Sequence, residues 1–139
     1  MIISVRNPFD RYVSWYEYSR QKMKGYVKRS GYNPKATFTE SLTNGWPELK
    51  SYNEYTRGIA DNSNIIIIRL ENLKHDLNIA CKKLNIPNIN IECKEYIKNK
   101  NINNRRNEYQ TYYTPETRKI IETRYADDLK HYNYIYNDL

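Results

Sequence analysis

Ile65-Ile66-Ile67-Ile68 is an unbroken run of β-branched residues. A continuous apolar run, unlike an alternating one, predicts a strand buried on both faces, as in a parallel sheet covered by helices. Glu71-Asn72 follows, and Leu73, Leu77, Ala80, Cys81 and Leu84 then recur at helical spacing until Pro87. Upstream, Met1-Ile2-Ile3-Ser4-Val5 reads as a second short strand. Asp10 to about Met23 reads as the helix after it, with Tyr12, Tyr16 and Ser19 on one face and Phe9 and Val13 on the adjoining one. Strand, helix, loop, strand, helix is the order of an α/β fold, here a parallel sheet flanked by helices.

Elsewhere the pattern is local. Thr37-Phe38-Thr39-Glu40 has capping-box spacing ahead of Ser41-Leu42, a short helix that Gly45 would stop. Lys22, Lys24, Lys28, Arg29 and Lys35, interrupted by Gly25, Gly31 and Pro34, read as a basic loop suited to an acidic acceptor or simply to solvent. Asn88 to Asn107 is polar and reads as a long loop containing Arg105-Arg106. Thr114-Pro115-Glu116 opens a last helix with cap, proline and acid in order, and Ile120, Ile121, Tyr125, Asp128 and Leu129 continue it.

A chain of 139 residues can bury one core, so residues 1–139 are expected to form a single domain. The net charge of +7 and a mean hydropathy of -0.96 describe a basic, polar chain that will meet anions. The 15 tyrosines accompany abundant Asn, Ile and Lys, so they do not by themselves indicate a stacking array for nucleic acid. No helix-turn-helix, zinc or RNA-binding signature supports a basic nucleic-acid module, which stays the weakest alternative. No stretch is apolar enough to span a bilayer, and no signal precedes the first strand; a soluble, cytosol-like location is expected. Cys81 and Cys93 lack metal spacing, and no metal is expected.

The chemistry concentrates at the start of the chain. In Val5-Arg6-Asn7-Pro8-Phe9-Asp10-Arg11-Tyr12-Val13-Ser14, an arginine stands where the first strand ends and a serine lies inside the following helix. A guanidinium fork, a hydroxyl and helix N–H groups can together hold a phosphate. Two starts are open for the helix. Asn7 as cap puts Pro8 first and Ser14 two turns in, pointing away from the helix mouth; Asp10 as cap makes Ser14 the fourth helical residue, facing it. The later start suits the anion better and is the one expected. His75 and His131 read as surface groups, and Glu71 as a residue that fixes the turn after the second strand.

These residues carry a family resemblance. Arg6-Asn7-Pro8, Arg11 and Ser14 resemble the second nucleotide-binding element of the sulfotransferases, in particular the carbohydrate and Golgi-type branch. Arg69-Leu70-Glu71-Asn72-Leu73 and the stretch from Tyr112-Tyr113-Thr114-Pro115 to Tyr132-Asn133-Tyr134 resemble two later family elements, in the right order. The resemblance implies a parallel sheet like that of P-loop nucleotide kinases and transfer of a sulfuryl group from 3′-phosphoadenylyl sulfate to a hydroxyl or amine, with an acidic or carbohydrate acceptor. It implies that Arg6 and Ser14 hold the donor's 3′-phosphate, makes Arg105 and Arg106 candidates for further phosphate contacts, and gives Arg11 an orienting role. The family's glycine-containing 5′-phosphosulfate loop and catalytic base have no counterpart here, so the catalytic residue is unassigned. The expectation is therefore a domain truncated at its N-terminus, either inactive alone or a non-catalytic nucleotide- or polyanion-binding remnant, with a homodimer or partner covering the open edge of the first strand.

Overall fold

The structure, a computed structural model, describes residues 1–22, 33–43, 46, 49–56, 65–87 and 108–137. Along the chain the elements are β1 (Ile2–Val5), α1 (Pro8–Lys22), α2 (Phe38–Thr43), α3 (Tyr52–Tyr55), β2 (Ile66–Arg69), α4 (Leu73–Lys83), α5 (Pro115–Arg124) and α6 (Ala126–His131), with 3-10 turns at Leu70–Asn72 and Tyr109–Tyr112. They fall into two compact units, Met1–Arg6 with Tyr52–Asn101, and Asn7–Ser51 with Ile102–Leu139.

The first unit holds the sheet. β1 and β2 pair in parallel, with Ile2 opposite Ile66 and Val5 opposite Arg69, so the α/β reading of the two apolar runs holds. Burial is narrower than a strand covered on both faces: Val5 and Ile68 are buried, Ile66 and Ile67 are half-buried, and Ile2 is exposed. With one ladder partner per strand among the described residues, the outer positions stay partly open. α4 packs back on β2 and buries Ala80 and Cys81. Leu84, expected on the same stripe, is exposed because the helix has ended. Asn85 turns into the left-handed region at φ 55°, its N–H donates to the Lys82 carbonyl, and the Ile86 N–H donates to the Cys81 carbonyl at 3.1 Å. That double bond closes the helix two residues before Pro87, with asparagine in the place glycine usually takes.

Asp76, which the sequence reading did not single out, helps to hold the turn between β2 and α4. The Asp76 carboxylate accepts the Arg69 backbone N–H at 2.8 Å and lies 3.9 Å from the Arg69 guanidinium, whereas Glu71 is exposed. A residue five positions further along the chain reaches back because the first turn of α4 overlies the end of the strand.

The second unit is an aromatic core. Phe9, Tyr12, Val13 and Tyr16 of α1 meet Phe38 and Leu42 of α2, Trp46, Tyr109, and Ile121 and Tyr125. Ring pairs meet edge to face, as between Phe38 and Tyr113 at 5.0 Å and Tyr16 and Phe38 at 5.3 Å. Tyrosine hydroxyls then tie the helices to neighbouring backbone: Tyr12 donates to the Ser41 carbonyl at 3.0 Å, Tyr16 to Ala36 at 3.0 Å and Tyr125 to Leu49 at 2.6 Å. These tyrosines serve the core, in agreement with the reading that discounts them as a nucleic-acid platform. Burial raises the Tyr12 and Tyr16 hydroxyls above the ordinary phenol range, which keeps them as donors.

Both predicted caps are present. The Glu40 N–H donates to Thr37 Oγ1 at 3.2 Å while the Glu40 carboxylate accepts the Thr37 N–H at 2.7 Å. At α5, Thr114 and Thr117 exchange the equivalent bonds, at 3.3 and 2.8 Å. The Thr37 backbone and side-chain bonds hold the Glu40 carboxyl below the usual carboxylate range. A lowered folded value means that this cap contributes above the unfolded value and that its contribution is lost as pH falls through the folded one. Glu40→Gln is therefore expected to lower stability modestly at neutral pH, to converge with wild type at acid pH and so to flatten the acid side of a stability-against-pH curve, as read by chemical unfolding at a series of pH values.

The single closing helix expected from the sequence is two. Tyr125 leaves helical geometry at φ -114°, ψ 27°, where its buried ring and its bond to Leu49 hold it, and α6 starts afresh at Ala126. Asn133, at φ 59°, then stops α6 as Asn85 stops α4, with the Tyr134 N–H on the Leu129 carbonyl at 2.9 Å.

Candidate functional site

The opening motif lies where β1 gives way to α1. Val5 ends the strand in full burial and Arg6 follows half-buried. The helix starts at Pro8, earlier than expected, because Asn7 and not Asp10 is its cap. The Phe9 N–H donates to Asn7 Oδ1 at 3.1 Å and the Arg11 N–H to the Asn7 carbonyl at 2.8 Å. Proline at the first helical position has no N–H to satisfy and brings its φ already set.

This start changes the geometry of the site. Ser14 is the seventh residue of α1, not the fourth. At about 1.5 Å of rise per residue it stands roughly 9 Å along the helix from Pro8. The helix mouth is not the anion cradle that the later start implied: Pro8 lacks an N–H, those of Phe9 and Arg11 are engaged by Asn7, and Asp10 puts a carboxylate in the first turn. Arg6 belongs to the first unit and Ser14 to the second. Ser14 is half-buried beside Asp10, Arg11 and Glu17, on the side of α1 turned away from the Phe9, Tyr12, Val13 and Tyr16 core.

Three groups hold the motif between those residues. Asn7 Nδ2 donates to the Ile135 carbonyl at 3.0 Å, the Tyr113 hydroxyl donates to the Phe9 carbonyl at 2.9 Å, and Arg11 Nη1 lies 4.0 Å from Asp128 Oδ2. Asp128 has no solvent exposure, so its charge is compensated inside the fold. Truncating Asn7 to alanine removes both the cap and the bond to Ile135; the expected loss is about 1–2 kcal/mol of stability by urea unfolding. Asn7→Asp keeps the cap acceptor but not the donor and should lose less.

A family model described as the sulfotransferase family matches residues 1–135. The chain belongs to the sulfotransferase family. No curated protein and no solved structure matches it. The match takes in every described element, from β1 through α6.

Within this sulfotransferase domain the expected site residues fare differently. Arg6 stands at the strand end as the sequence placed it, and Ser14 sits on α1 but further from its start. Arg105 and Arg106 lie outside the described residues. His75 and His131 are exposed, in agreement with surface roles, and His131 meets the Tyr132 ring edge-on at 4.7 Å. Sequence reasoning missed Asp76, Asp128 and Tyr113 as residues that hold these segments in place. One signal was present: Asp128 falls in the apolar stripe of Ile121, Tyr125 and Leu129, and an acid on a buried stripe requires a buried partner.

Proposed function

We propose that this sulfotransferase domain works on 3′-phosphoadenylyl sulfate, moving its sulfuryl group to a hydroxyl or amine, with a carbohydrate as acceptor. The observation that carries the reading is the family match over residues 1–135, joined to the Arg6 to Ser14 spacing within it. Arg6 and Ser14 bind the 3′-phosphate of the donor, and Arg105 and Arg106 add charge to the nucleotide phosphates. The chemical fit is good. Arg6 offers a permanently charged fork with five N–H donors, and Ser14 a hydroxyl that can donate one bond to a phosphate oxygen. Both side chains are half-buried, so a bound phosphate meets them with part of its hydration already removed.

The donor supplies an activated sulfuryl group: the acceptor oxygen or nitrogen forms a bond to sulfur, the bond from sulfur to the 5′-phosphate oxygen breaks, and the acceptor proton passes to a base. Arg6 and Ser14 act at the far end of the nucleotide from that bond, so they bind and orient and take no proton. A net charge of +7 favours encounter with an acidic acceptor such as an anionic glycan.

Calorimetric titration with adenosine 3′,5′-bisphosphate tests the reading. Binding, with an unfolding temperature that rises with ligand concentration, supports it. Steeply salt-dependent binding of nucleic acid with no response to the bisphosphate replaces it with the nucleic-acid-module alternative.

A further inference from the structure

We infer that Tyr113, Asp128 and the Ile135 carbonyl form a positioning brace for the opening motif, one that sets the orientation in which Ser14 meets the donor's 3′-phosphate; this rests on the reading of Ser14 given above. The brace is made of three contacts on alternate residues. The Ile135 carbonyl takes the Asn7 amide at 3.0 Å, the Tyr113 hydroxyl caps the Phe9 carbonyl at 2.9 Å, and Asp128 faces the Arg11 guanidinium at 4.0 Å. Each uses a different handle: a side-chain amide, a backbone carbonyl and a charged fork. A helix end held at one point can still turn about it; three contacts that do not share a line remove that freedom.

The azimuth is what matters for Ser14. It lies three residues after Arg11, one turn on along the same face, so whatever fixes Arg11 fixes the direction of the hydroxyl. Rotating α1 by one residue would swing that hydroxyl by about 100°. Asp128 is fully buried and Arg11 nearly so, at 0% and 14% side-chain exposure. A buried ion pair is a poor source of stability and a good source of a single arrangement. Tyr113 strengthens the hold: burial pushes its hydroxyl far above the ordinary phenol range, so it stays a donor, and its ring meets Phe9 edge-on at 5.5 Å. All three groups come from the segment after residue 108, at the other end of the chain from the motif they hold.

The test compares two nucleotides on the whole chain. Dissociation constants for adenosine 3′,5′-bisphosphate and for adenosine 5′-monophosphate, which lacks the 3′-phosphate, give a selectivity ratio. It is measured by calorimetry below each protein's unfolding temperature. Tyr113→Phe keeps the ring and deletes the bond to Phe9; Asp128→Asn keeps the shape and deletes the charge. Both are expected to lower the ratio, by about 3- to 10-fold, while the monophosphate constant stays within about twofold of wild type. Variants that unfold at lower temperature yet keep the wild-type ratio have lost only stability, and that result overturns the brace. Should Asp128→Asn not fold, Tyr113→Phe decides alone, because its core ring is retained. A wild-type chain that binds both nucleotides equally removes the 3′-phosphate reading itself, and a selective wild type with equally selective variants removes the brace and leaves the reading intact.

Discussion

Asp128→Ala is expected to destabilise the protein by about 3–5 kcal/mol, enough to lower its unfolding midpoint by many degrees. The carboxylate has no solvent exposure, and the guanidinium of Arg11 that faces it is 14% exposed. Removing the acid takes away the charge that faces the half-buried Arg11 guanidinium, and breaking such a pair costs more than never having had it. Asp128 also stands in the first turn of α6, where a negative charge is favourable. The double replacement Arg11→Met with Asp128→Leu should recover most of the loss, since two apolar side chains of similar volume need no compensation. Urea unfolding of the single and double variants reads this directly. A single variant within about 1 kcal/mol of wild type would show that the pair carries no such burden.

Arg6→Ala is expected to weaken binding of adenosine 3′,5′-bisphosphate by about 10- to 100-fold, the worth of roughly 1.5–3 kcal/mol in charge-assisted hydrogen bonds. Binding of adenosine 5′-monophosphate should hardly change, because the lost fork is assigned to the phosphate which that nucleotide lacks. Arg6→Lys, which keeps the charge and loses the planar fork, should fall between. Half-burial of Arg6 makes a stability control necessary, so unfolding is measured beside the titration. Equal affinity of wild type and Arg6→Ala for the bisphosphate would remove Arg6 from the donor site.

What could be read from the chain, and what could not, follows the range of the forces involved. The four isoleucines at 65–68 and the apolar start at 1–5 announce two parallel strands, since β-branched residues favour extended backbone wherever they pack. The Thr37 and Thr114 caps were visible because capping is settled within four residues. The start of α1 is not legible locally. Asn7 and Asp10 are both competent caps, and the choice between them falls to contacts from far along the chain: Asn7 is used because its amide also reaches Ile135. The break at Tyr125 is likewise hidden in an unbroken helical pattern, since the Leu49 carbonyl that holds its hydroxyl lies 76 positions away.

The sequence by itself determined the α/β class, the caps and the family motif. Periodicity, propensity and motif spacing are properties of neighbours, and neighbours in sequence are always neighbours in space. Only the tertiary structure decided that Asp76 reaches back to Arg69 at the turn after β2, that Ser14 sits two turns into α1, and that Tyr113, Asp128 and Ile135 meet the opening motif. The pairings of the opening motif span more than a hundred residues and that of Asp76 seven, all made by burial, charge and hydrogen bonds. The same carboxylate, hydroxyl or carbonyl read along the chain carries no mark of the partner it will meet.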